Sequence, residues 1–238
     1  MKAFTRFAIA VCILLLAVGC AKTQVTERHP QLRAGDMIAK PERIYVYPFA
    51  ATPADIPAWS VSAGRYSDPS QQQTPEELKV GRELGNLVAK ELVTKIQLMG
   101  LSALEGNSQI VPRNKDLLII GYFETIEEGS TLKRLGLGFG SGSAELQTTV
   151  EGYQTTPEGP RLLGTAKLDS AGGKTPGLVV PLAVLAATAN PIGLVVMGTT
   201  KVAGEMTGRT KIEGAAKRTA EALGEQLKLK FQNQRWIE

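Results

Sequence analysis

Between residues 74 and 100 apolar side chains recur every three or four places. Val80, Leu84, Leu87, Val88, Leu92, Ile96 and Met99 fall on one side, and that spacing is the signature of an amphipathic helix. Thr74-Pro75-Glu76-Glu77 supplies its start: a threonine cap, a proline in the first turn and a glutamate three places after the cap. Gly100 supplies the stop. A second helix is predicted over about Lys211–Phe231, with Ile212, Ala216, Thr219, Leu223, Leu227 and Phe231 inward.

Strand patterns fill most of the interval between them. Ile44-Tyr45-Val46-Tyr47-Pro48-Phe49 is dense in β-branched and aromatic residues. Leu101–Leu104 predicts a short strand. Asp116–Ile126 predicts a longer one, in which Leu117-Leu118-Ile119-Ile120 has the unbroken apolar run of a strand covered on both faces. From Glu145 to Tyr153 the pattern alternates. Leu146, Thr148 and Val150 share one side, and Glu145, Gln147, Thr149 and Glu151 share a side expected to meet solvent. Pro157–Pro160 turns the chain into a partner strand over Leu162–Leu168. Thr52–Gln73, with Pro53, Pro57, Gly64 and Pro69, is expected to be a long loop. The expected class is α+β, a mainly antiparallel sheet with two amphipathic helices on one face.

Two further stretches break the globular pattern. Phe7–Val18 is an uncharged apolar core behind Lys2 and Arg6, and it ends at Leu16-Ala17-Val18-Gly19-Cys20. A charged start, a short apolar run and small residues before a cut make a signal peptide. The residues before Cys20 resemble a lipobox, with Ala17 where leucine is usual and Leu16 one place earlier. Residues 1–19 are therefore expected to be removed, Cys20 to carry lipid, and 20–40 to form a polar tether ahead of one domain over 41–238. More than one acyl chain on Cys20 would anchor stably, because each buried methylene contributes ~0.8 kcal/mol. Ala21 stands where an aspartate would signal inner-membrane retention under the enterobacterial sorting rule, which implies the outer membrane.

The other stretch is an apolar insertion at about 176–206, uncharged from Thr175 to Thr200 and broken by Pro181 and Asn190-Pro191. It predicts a helical hairpin with Asn190 capping its second arm. Leu178, Val180, Leu185, Ile192 and Val196 are its candidate contact residues, for a protein partner, the membrane or the domain's own core.

Composition removes several function classes. Lys2 and Arg6 leave with the signal, taking the formal charge from +4 to +2. No basic stripe or motif speaks for nucleic acid. Cys12 and Cys20 are the two cysteines, so the mature domain has neither a disulfide nor a thiol nucleophile. A single histidine, His29, precedes the domain, which excludes multi-histidine metal sites and leaves a catalytic triad only if His29 folds back.

Local motifs fare no better. Gly136-Leu137-Gly138-Phe139-Gly140 places its third glycine one residue too early for a dinucleotide loop, although Lys133 and Arg134 beside it would attract anions. Gly173-Lys174-Thr175 has Leu168 where a phosphate loop needs glycine. Asp116, Glu124, Glu127, Glu128 and Asp169 are expected at solvated strand ends rather than in a catalytic pair. Trp59 and Tyr66 are the candidate ligand contacts, as stacking surfaces in the long loop.

Pro41–Phe49, the following Thr52-Pro53-Ala54-Asp55-Ile56-Pro57, the capped helix and the Gly136–Ser143 loop with its strand resemble a family of bacterial lipoproteins. That family is grouped under domain of unknown function number 4410. More distantly, the chain is similar to curli-secretion-channel and envelope-assembly lipoproteins. These resemblances imply oligomerisation or partner binding without chemistry. No sustained alternation for channel hairpins accompanies them. The expectation is a non-enzymatic, lipid-anchored envelope protein that self-assembles or binds an envelope protein, without a cofactor. Its runner-up is a periplasmic lipoprotein that binds a glycan or a lipid.

Overall fold

The computed structural model describes residues 23–31, 36–63, 73–127, 145–170, 195–197 and 205–238. Among the described residues, seven strands and two α-helices follow in the order β1 Gln24–Pro30, β2 Ile44–Val46, α1 Pro75–Leu98, β3 Ala103–Glu105, β4 Leu117–Glu127, β5 Glu145–Thr156, β6 Gly159–Asp169, β7 Val195–Met197 and α2 Glu205–Asn233. The sheet order is β1-β6-β5-β4-β2-β3, and β7 also pairs with β4.

The class is α+β, but the sheet is mixed rather than mainly antiparallel. β1–β6, β4–β5 and β5–β6 are antiparallel, whereas β2–β3, β2–β4 and β4–β7 are parallel. The cause is α1. A helix between two strands of one sheet carries the chain back over its face, so β3 returns alongside β2 in the same direction. Hairpin connection governs only the β5–β6 turn and the long β4–β5 pair.

Helix α1 starts as its sequence predicts. The Glu77 N–H donates to Thr74 Oγ1 at 3.3 Å, and the Thr74 N–H donates to Glu77 Oε2 at 2.8 Å. Leu84, Val88, Leu92 and Ile96 are buried, and Gly100 ends the helix with a φ of 79°. Thr74→Ala is expected to cost ~1 kcal/mol, by loss of the cap, read as a lower midpoint of urea unfolding.

Both helices pack on one sheet face. Their buried residues join Ile44, Val46, Leu117, Ile119 and Val150 in a single core. Tyr45, Leu118, Ile120 and Tyr153 form a second cluster on the opposite face, with Trp59 packed against it. At the base, Trp236 stacks on Phe231 at 5.2 Å and its indole N–H donates to the Ile38 carbonyl at 3.2 Å.

Two segments depart from expectation. Residues 24–30, predicted to lie in the tether, form β1 along the edge of β6. An edge strand is held by backbone pairing and needs no apolar side, so its polar sequence carries no strand signal. Val196, predicted in the second arm of a helical hairpin, lies in β7 with its backbone paired to Ile126. Consecutive β-branched residues at Val195 and Val196 suit a strand, and β4 runs on past its β2 partners to receive it. Leu178, Val180, Leu185 and Ile192 lie outside the described residues. Among the described residues no helix is long and apolar enough to cross a membrane.

Candidate functional site

The parallel pair β2–β3 delivers two loops to the same end of the sheet. After β2 the chain stays on the sheet: the Tyr47 N–H donates to the Ile119 carbonyl at 2.9 Å, and the Ala50 N–H to the Gly121 carbonyl at 2.8 Å. It then folds into a 3-10 turn at Pro53–Asp55 and further turns through Ala63. After β3, the Asn107 side-chain oxygen accepts from the Gln109 and Ile110 N–H groups at 2.9 and 3.1 Å, an Asx turn that fixes the second loop.

Between these loops opens a groove of about 770 Å³. Leu118, Ile120 and Tyr122 contribute to its sheet side, and Tyr47, Trp59 and Ile110 line it from the loops. Arg82, Asn86 and Asn107 bring polar groups. Arg82 is held by Asp55, with Nη2 3.0 Å and Nε 3.2 Å from the same carboxylate oxygen. Asp55 in turn accepts from the Thr52 N–H and hydroxyl at 3.1 and 2.9 Å.

Trp59 therefore does both things the sequence allowed. It folds onto the domain, edge-to-face with Tyr47 at 6.0 Å and Tyr153 at 5.1 Å, and it still lines the groove. Tyr66 lies outside the described residues. Tyr47 was missed as a groove residue, since an aromatic at a strand end reads as core.

Behind Trp59 the sheet carries a buried polar network. Glu151 is fully buried and accepts from the Ser60 hydroxyl at 2.6 Å, the Tyr153 hydroxyl at 2.6 Å and the Ser62 hydroxyl. Tyr122 lies 2.9 Å from Ser62 Oγ, and the Val61 N–H donates to the Tyr153 oxygen at 2.9 Å. Burial, and then the hydrogen bond to Glu151, push the Tyr153 phenol well above the usual tyrosine range.

This corrects the solvent-facing reading of Thr149 and Glu151. The alternation is as predicted, but the face is covered: both side chains are buried, Glu151 beneath residues 60–62. Two carboxylates expected at solvated strand ends are buried too. Glu124 accepts from Thr149 Oγ1 at 2.7 Å and pairs with Lys167 Nζ at 3.2 Å. Asp116 accepts from the Arg113 N–H at 2.7 Å. Asp169 is partly buried, the Glu127 backbone ends β4, and Glu128 lies outside the described residues.

Among the described residues no group of three His, Cys, Asp or Glu side chains is placed to hold a metal ion. The chemistry on offer in the groove is stacking on tyrosine and indole rings, amide hydrogen bonding from Asn86 and Asn107, and the Arg82–Asp55 ion pair.

Residues 44–189, which include every groove and network residue named above, match the profile of the domain of unknown function DUF4410. The chain belongs to that family. The DUF4410 match begins at β2 and runs past β6, leaving β1, β7 and α2 outside it. No curated protein matches the chain. Among solved structures, a PelC dodecamer from Paraburkholderia phytofirmans is similar at 12% identity and a TM-score of 0.36, covering 71% of this chain and 96% of that one. A single-substitution variant of the same dodecamer gives 14% identity, the same TM-score and the same coverage.

Proposed function

We propose that this chain is a lipid-anchored protein of the bacterial envelope, tethered through Cys20 at the outer membrane with its domain in the periplasm. The domain binds and does not catalyse, and its ligand is a glycan held in the Trp59 groove. The observation that carries the reading is the groove itself. Aromatic rings of Tyr47 and Trp59 line it beside Asn86 and Asn107, whereas Glu124 and Glu151 are buried in hydrogen bonds of their own. Stacking surfaces beside amide groups and an Arg82 guanidinium already paired with Asp55 suit a polyhydroxylated ligand, which presents an apolar ring face and many hydroxyls.

A second reading, contact with an envelope protein or a second copy of the chain, is favoured by Val111. It sits between the groove-lining Ile110 and Pro112 and is 87% exposed.

The test uses the full chain in mild detergent beside the Cys20→Ser form. Cys20→Ser is expected to move the protein from the membrane to the soluble fraction; retention would overturn lipid anchoring as the sole tether. Soluble peptidoglycan fragments are expected to bind both forms. Trp59→Ala is expected to weaken that binding by about tenfold or more, the scale of a lost aromatic anchor. No binding by the parent protein overturns the glycan reading, and a discrete oligomer in both forms then supports the second one.

A further inference from the structure

We infer that Glu151 is the positioning residue of the groove: its buried carboxylate holds the Trp59 loop closed against the sheet. The loop reaches across to the sheet through three consecutive residues. The Ser60 and Ser62 hydroxyls donate to Glu151, and the Val61 N–H donates to Tyr153. The Ser62 N–H also donates to Ser60 Oγ at 3.0 Å, so the two serines are oriented together.

Glu151 is well placed for this role. It stands on β5, inside the sheet, in register with Ile120 on one neighbour and Thr165 on the other. Its backbone therefore has little freedom. Its donors among the described residues are three hydroxyls, two of them on the loop. A buried carboxylate that loses its donors must be rehydrated, and here water reaches it only when the loop lifts. Satisfying the charge and closing the loop are thus one event.

The same network sets the indole. Tyr153 donates to Glu151 through its hydroxyl and presents its ring to Trp59 at 5.1 Å and 85°. Tyr122, which also lines the groove, bonds to Ser62. Opening the loop would therefore remove the Trp59 surface and loosen the tyrosine beneath it, without altering a residue that touches the ligand.

The ligand consequence rests on the groove reading proposed above; the loop consequence stands without it. The experiment compares the full chain with S60A/S62A and with E151Q, all in the same detergent. Hydrogen exchange is followed by mass spectrometry at residues 58–63 and in β4 and β5. Iodide quenching of indole fluorescence is the second readout, with Trp236, 6% exposed, as the shielded background.

S60A/S62A is expected to raise exchange in the loop by about tenfold or more while β4 and β5 keep their protection, the signature of local opening. Quenching should rise with it. E151Q loses the charge-assisted bonds, which are about twice as strong as neutral ones, so its loop exchange is expected to rise too, but less than in S60A/S62A because one amide oxygen still accepts from a serine hydroxyl. Unchanged loop exchange and quenching in S60A/S62A would overturn the inference. If E151Q unfolds globally, the serine variant decides alone. If the parent binds no peptidoglycan fragment but the variants open, the loop role of Glu151 stands and the glycan reading falls. Equal fragment binding by the parent and an opened variant overturns the positioning role.

Discussion

Gly85→Ala is expected to lower the free energy of unfolding by about 3 kcal/mol, at the upper end of what overpacking a core costs. Gly85 is buried on α1 where the helix meets the chain leaving β2, and the Phe49 N–H donates to its carbonyl at 3.2 Å. A Cβ there would sit 2.1 Å from the Phe49 carbonyl oxygen and 3.0 Å from its carbon. No rotamer relieves a clash with backbone. Nor can either partner retreat easily: Ala50 is hydrogen-bonded to β4 on both sides, and Leu84, Val88 and Leu92 fix the helix in the core. The better helix propensity of alanine, worth ~1 kcal/mol over glycine, offsets part of the loss and is already included. Urea unfolding of parent and variant measures it. Gly121→Ala gives a useful contrast, because its Cβ would meet the Phe49 ring at 2.3 Å. A smaller side chain in Phe49→Leu is expected to rescue Gly121→Ala in part and Gly85→Ala not at all.

Lys167→Met is expected to cost about 2–3 kcal/mol, below the range for breaking a fully buried pair because the lysine side chain is partly exposed. It would leave Glu124, buried on the sheet face, with the Thr149 hydroxyl as its remaining named donor. Glu124→Gln in the same chain removes the charge that needs compensation, so the double variant is expected to recover most of the loss. The three variants and the parent form a cycle that urea unfolding can close. If the double variant is no more stable than Lys167→Met, the loss does not arise from leaving the Glu124 charge unpaired.

The parts of the fold that were legible in the chain are those encoded by neighbours in sequence. The cap at Thr74, the apolar face of α1, the doubly covered run at Leu117–Ile120 and the inward residues of α2 all follow from local spacing, and the structure has them as expected. What was not legible depends on distant partners. β1 pairs with β6 across more than a hundred residues, and its polar sequence records nothing of that. β7 needs the free length of β4 beside it. The parallel order of β2 and β3 comes from the return path of α1, not from either strand's composition. The site divides in the same way. Trp59 stood out as a loop aromatic, but Glu151 looked solvated because its cover, Ser60 to Ser62, lies about 90 residues upstream. Alternation correctly assigned the side of the sheet and had no access to what lies above it.

If Cys20 carries lipid as proposed, the short interval before β1 limits how far the domain can stand from the bilayer. With lipid on Cys20, only four steps of chain separate the anchor from Gln24, a reach of at most ~14 Å. Gln24 pairs with Asp169, and Asp169 with Gln147, at one end of the sheet. Of the groove residues, Tyr122 is in register with Thr149, two residues from Gln147, whereas Thr155 of β5 and its β6 partner Pro160 lie about eight residues along, or ~26 Å toward the other end. The groove thus begins close to the anchored end of the sheet and runs away from it. Under the proposed anchor, a domain standing on its tether would point the groove along the membrane normal, with Tyr122 at its near end and Thr155 and Pro160 at its far end, open to a long ligand that rises from the surface rather than to one lying flat on it.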